Sequence, residues 1–221
     1  MDYKAVYTEN YFSGKNSFFY RMGYGRFAAS YFNDLFNPLR SYIRNIKKGR
    51  VLDIGCAYGF MLEKFPDSFE KFGMDISAHA IKEAASRLPN AMLKIGEAEK
   101  EFPFQKDFFD VVTCNDVLEH LEHPEKALEH MYGALKKGGI LYINTPNLNR
   151  MRRVVFRYAD AKEHHISLLS HRALLDALTG AGFIVLDHWT WVNIAPVFSL
   201  AFRSLTFRSN LGTESAFICR K

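Results

Sequence analysis

The stretch Val51-Leu52-Asp53-Ile54-Gly55-Cys56-Ala57-Tyr58-Gly59-Phe60 constrains this chain more than any other. Val51 to Ile54 reads as a buried parallel strand, and the small residues at 55, 57 and 59 turn it at once into a helix near Phe60. A strand that feeds a helix N-terminus leaves unpaired backbone N–H groups and a positive dipole end facing a crevice. Small residues there let a ligand lie against the main chain, and open α/β sheets bind ligands at this junction.

Strand and helix patterns alternate through the rest of the chain. Strands are expected over 69–75, 91–95, 108–114, 140–144, 183–192 and 214–220. The helices between them start at Phe60, at Ser77 as N-cap, at Pro124 and at Ser170 as N-cap, the third running to Lys137 before Gly138-Gly139. This order predicts an α/β fold, a three-layer α/β/α sandwich, with a last strand that returns antiparallel. At 221 residues and 48% hydrophobic, one domain accommodates the whole chain. Residues 1–47 read as an aromatic-rich helical arm, its two amphipathic helices interrupted at Pro38. Residues 48–146 form the binding core, and 147–166 and 193–212 are lid insertions.

Asp75 ends the second strand about twenty residues past the glycine turn, where an acidic side chain can accept hydrogen bonds from ribose hydroxyls. A dinucleotide fingerprint would be Gly-x-Gly-x-x-Gly, but Gly55, Ala57 and Gly59 stand two apart, which disfavours a nicotinamide oxidoreductase. Further along stand Gly96-Glu97-Ala98-Glu99 with Phe102-Pro103-Phe104, then Cys114-Asn115-Asp116-Val117-Leu118-Glu119-His120-Leu121. In this order the motifs resemble those of the class I S-adenosylmethionine (SAM) methyltransferases, in particular the ubiquinone-biosynthesis-like family. The resemblance is strong over residues 48–146 and looser over 163–221. It implies a Rossmann-like seven-stranded sheet and SAM as cofactor. It also implies a cofactor site built from Asp53, Gly55, Cys56, Ala57 and Gly59 around the methionine half, and Asp75 and Ile76 at the ribose. Glu97 and Ala98 then lie at the adenine, and Asn115 and Asp116 beside the methyl donor.

His120 is the leading catalytic candidate, since an unperturbed imidazole titrates near neutrality and this one would sit by the reacting centre. His164 and His165, in the first insertion, are further candidate bases. Asp116, Glu119 and His120, spaced i, i+3, i+4, would share a helical face able to hold a divalent cation, but a solvated acidic turn without metal is the preferred reading. His123 and His130 are expected at the surface.

The net charge of +5 resides in the two insertions: Arg150, Arg152, Arg153, Arg157 and Lys162 against Asp160 and Glu163, and Arg203 and Arg208 against no acid. This favours a small-molecule methyl acceptor that is anionic or amphiphilic. Alternatives are a SAM-binding protein without transfer activity and an RNA methyltransferase, although no nucleic-acid module is visible. The second insertion could also be a dimer contact or a membrane-surface patch, so oligomeric state stays open. Cys56, Cys114 and Cys219 lie in or beside apolar runs, as reduced thiols do. With no leader sequence and no apolar run long enough for a membrane span, a cytoplasmic protein is expected.

Overall fold

The computed structural model describes residues 6–17, 20, 23–100, 102–193, 206–209 and 211–221. Its elements are α1 (Glu9–Phe12), α2 (Tyr24–Ile43), β1 (Gly49–Ile54), α3 (Phe60–Glu63), β2 (Phe69–Asp75), α4 (Ala78–Arg87), β3 (Met92–Ile95) and β4 (Phe109–Asn115). A single 3-10 turn (Leu118–His120) follows. Then come α5 (Pro124–Ala134), β5 (Leu135–Pro146), α6 (Arg150–Val155), α7 (Arg157–Lys162), α8 (His171–Gly180), β6 (Ile184–Asn193), β7 (Thr206–Arg208) and β8 (Glu214–Arg220).

The sheet order is β3-β2-β1-β4-β5-β8-β6-β7. Strands β1 to β5 are parallel, and β8 lies antiparallel between β5 and β6. The expected seven strands are therefore present, and a three-residue edge strand, β7, joins them from within the second insertion. Both faces of the sheet are covered, so the inner strands are apolar almost continuously. Alternate residues still divide cleanly between two cores. Val51, Val111, Ile140 and Ile218 pack under α2 and α3, whereas Leu52, Val112, Leu141 and Phe217 pack under α5 and α8.

Strand order reverses between β1 and β4, so the connections leaving these two strands run to opposite sides. A crevice opens at their carboxyl ends. Side-chain caps start α4 and α8 as expected: Ser77 Oγ accepts from Ala80 N–H, and Ser170 Oγ from Ala173 N–H.

Several expectations need correction. The arm carries one long helix through Pro38, not two. An interior proline costs about 3 kcal/mol, but Leu35, Leu39 and Ile43 stay in phase across it and are all buried. At about 1.5–3 kcal/mol for each such side chain, burial outweighs the lost hydrogen bond. Helix α5 ends at Ala134, before the glycines, because Leu135 already pairs with Phe109 in the sheet. The basic stretch of 147–166 carries two short helices, α6 and α7. Residues 194–205, with Arg203, lie outside the described residues. No described helix is long and apolar enough to cross a membrane. All three cysteines are free and buried.

Candidate functional site

The turn after β1 is fixed by backbone bonds to its neighbour. Gly55 and Cys56 both donate N–H to Met74 O, at 2.8 and 3.0 Å. Gly55 has φ +71°, and a Cβ there would collide with the Val117 side chain, so this position admits glycine alone. Ala57 takes a left-handed conformation, φ +44°, which aims its N–H at Asp75 Oδ2, 2.9 Å away. Asp75 Oδ1 accepts from Ser77 N–H at 2.8 Å. One carboxylate thus clamps the glycine loop to the start of α4. Burial raises the Asp75 pKa, opposed by these backbone N–H groups.

Above this turn lies an open crevice. Gly55, Ala57, Asp75 and Ile76 line one end of it, and Glu97, Ala98, Asn115 and Asp116 the rest of its floor. Tyr7, Tyr11, Phe12, Tyr24 and Tyr31 of the arm contribute to the opposite wall. Of the expected cofactor residues, Asp53, Cys56 and Gly59 do not line it. Cys56 packs behind, against Gly73. Gly59, at φ +79°, caps α3. Asp53 accepts the Thr113 hydroxyl at 2.6 Å and ties β1 to β4. Burial pushes its pKa up to about 7, against that hydrogen bond and with a smaller contribution from the Asp75 charge. Glu97 lines the crevice while holding the Lys100 ammonium at 2.5 Å.

A second cavity adjoins the first and shares Tyr11, Tyr20, Tyr31, Asp116 and His120 with it. Asp116, at φ +53°, accepts from the Tyr31 hydroxyl at 2.7 Å and from Asn144 Nδ2 at 3.1 Å. Glu119 is 1% exposed; its Oε2 accepts from Thr145 Oγ1 at 2.9 Å, and its Oε1 has no hydrogen-bond partner. His120 Nδ1 meets the Tyr7 hydroxyl at 2.8 Å, and His165 Nδ1 meets Asp160 Oδ1 at 2.8 Å. The two rings stand 4.8 Å apart.

His120 does not titrate near neutrality. Burial lowers its pKa to about 3, helped by the neighbouring His165 charge, so the ring is neutral. Glu119 shifts the other way, raised well above the carboxylate range by burial and then by the Asp116 charge. His164 is half-buried at φ +60° and lines neither cavity. His130, expected at the surface, is partly buried, stacked on Phe102 and bonded to Ala98 O at 2.9 Å.

Glu119, His120 and His165 each offer one ligand atom, all within 4.8 Å of one another. This is not the expected Asp116-Glu119-His120 set, because Asp116 is committed to Tyr31 and Asn144. Arg152 also departs from expectation. It is 2% exposed and bonds Asp160 at 2.6 Å, Glu214 at 3.1 Å and Thr213 O at 3.0 Å. The insertion's other arginines, Arg150, Arg153 and Arg157, are exposed. The excess charge therefore lies outside the cavity.

The sequence reasoning missed Tyr31, Glu163, Arg152 and Glu214 as cavity residues. The density of tyrosines in the arm was a usable signal for the first. The other three come together only through the tertiary fold.

The methyltransferase-domain family model matches residues 24–188, and the chain belongs to that family. It is 32% identical over 127 residues to the ubiquinone biosynthesis O-methyltransferase of Glaesserella parasuis, covering 51% of this chain and 54% of that one. The chain spans about half the length of the curated relatives it matches. Among solved structures, it resembles a SAM-dependent methyltransferase of Thermotoga maritima, described as a possible histamine N-methyltransferase. That match has 21% identity, covers 88% of this chain and 92% of the other, and has a TM-score of 0.65. Phosphoethanolamine N-methyltransferase 2 of Haemonchus contortus, in complex with phosphomonomethylethanolamine and S-adenosylhomocysteine, matches with 17% identity over all of this chain and 61% of the other, TM-score 0.68.

The crevice fits SAM on its own evidence. Both amide atoms of buried Asn115 lack a partner, as they would where a ligand supplies one. The glycine turn leaves room for close approach, and Asp75 retains lone pairs beyond the two its backbone bonds use.

Proposed function

We propose that this protein transfers a methyl group from SAM to a small-molecule acceptor held in the second cavity. The observation that carries this reading is the junction of the two cavities at Asp116 and His120. A cofactor lying along the carboxyl ends of β1, β2 and β4 would end its reach there, facing the second space. Bound SAM supplies a sulfonium-activated methyl. Asp75 would hold the ribose, the unpartnered amide of Asn115 would bond polar groups of the ligand, and the arm's aromatic side chains would exclude water. With the electrophile already activated, positioning the acceptor is the protein's main task, worth up to roughly 7–11 kcal/mol. Neutral His120, its Nδ1 held by Tyr7, and His165 beside it would help position the acceptor at this junction. The Glaesserella relative, by its name an O-methyltransferase, supports a small-molecule acceptor.

The test is S-adenosylhomocysteine formation from SAM across a panel of alcohols, phenols, amines and carboxylates. Turnover of at least one member is expected. Tight SAM binding with no methyl release from any of them would favour a binding protein instead.

A further inference from the structure

The second cavity has an unbalanced wall. Among the described residues, four carboxyl groups face it, Asp116, Glu119, Glu163 and Glu214, against the guanidinium of Arg152 and the imidazole of His165, which is itself paired with Asp160. That guanidinium is already divided between Asp160 and Glu214. Three of the carboxyl groups have donors: Asp116 from Tyr31, Glu163 from Tyr11 and Ser17 at 2.8 Å each, and Glu214 from Arg152. Glu119, which also lines this space, differs: its buried Oε1 has no hydrogen-bond donor, and His120 Nε2 stands 3.9 Å from it. A buried acceptor without a donor is costly, and a ligand that brings one relieves it.

An anionic acceptor would bring a further negative charge against this wall and no donor for Oε1. A cation bears N–H donors and is also attracted to the tyrosine rings that close the cavity, Tyr11, Tyr20 and Tyr31. We propose that the acceptor is a primary or secondary amine, that its ammonium binds Glu119 Oε1 between those rings, and that nitrogen receives the methyl.

This rests on the transfer reading above. The ammonium must first lose a proton to solvent to expose its lone pair. The nitrogen lone pair then bonds to the methyl carbon as the carbon–sulfur bond breaks, its electron pair remaining on sulfur as a neutral thioether. The product is a methylated ammonium.

The test is calorimetric titration of the S-adenosylhomocysteine-saturated, EDTA-treated protein with benzylamine, benzyl alcohol and benzoate. The amine should bind at least tenfold more tightly than either isostere. Glu119→Gln, which keeps an acceptor for Thr145, should remove most of that preference and leave benzyl alcohol unchanged. Benzoate or benzyl alcohol matching the amine overturns the proposal on the wild-type protein alone, whether or not the variant folds. So does amine binding that appears only when Zn²⁺ is added back, since Glu119, His120 and His165 would then be ligands to the metal. Failure of S-adenosylhomocysteine itself to saturate the protein would instead strike the transfer reading beneath.

Discussion

Asp75 carries two tasks, and Asp75→Asn separates them. In the folded chain its oxygens accept Ala57 N–H at 2.9 Å and Ser77 N–H at 2.8 Å. Asparagine can satisfy one of these donors but turns an NH₂ group on the other. One buried donor left unsatisfied costs about 1–3 kcal/mol, or a fall of about 2–12 °C in Tm for a chain of this size. Binding should suffer separately, because the ribose loses a charged acceptor. A hydrogen bond to a charged group contributes about 1.5–3 kcal/mol, so SAM affinity should fall by about 10- to 150-fold. Calorimetry well below the variant's Tm measures the second effect, and a thermal melt without ligand measures the first. SAM affinity within about twofold of wild type, in a variant that melts early, would refute the ribose assignment and leave Asp75 as a loop clamp only.

Three further outcomes are expected. Asp53 has its pKa raised to about 7 in the folded chain, so the folded state binds the extra proton, and stability is fully present below the unfolded pKa and lost as pH rises toward 7. Asp53→Asn should therefore gain stability relative to wild type between about pH 4 and 8; urea titrations at pH 4.5 and 8 showing the same difference would refute this. Arg152→Ala leaves Asp160 and Glu214 buried without their partner and should cost about 3–5 kcal/mol, whereas Arg153→Ala, at an exposed position, should cost under about 0.5 kcal/mol; chemical denaturation of both variants checks the contrast. Leu39→Ala should cost about 2–5 kcal/mol in the same assay, and a loss below 1 kcal/mol would deny that α2 continues as a core element past Pro38.

What was legible in the sequence was local. The Gly55–Gly59 turn, the Ser77 and Ser170 caps and the acidic end of β2 each rest on a few adjacent residues whose chemistry allows little else. The motif order then located the crevice, and Asp75, Glu97, Asn115 and Asp116 all line it. Burial was harder to foresee. Asp53 looks like a ligand residue beside the turn, but its carboxyl points to Thr113 and ties two strands together. His120 looks poised to titrate, and enclosure by Tyr7 and His165 removes that property. Arg152 sits in a basic stretch with three exposed arginines, and nothing local distinguishes it; its burial depends on Glu214, 62 residues away.

The most direct measurement is a crystal structure of the protein soaked with S-adenosylhomocysteine. The account predicts the ribose hydroxyls on Asp75, the adenine beside Glu97 and Ala98, and the thioether sulfur at the mouth of the second cavity near Asp116 and His120. A nucleoside turned end for end, with its sulfur far from that mouth, or a crevice that stays without ligand at saturating concentration, would contradict it.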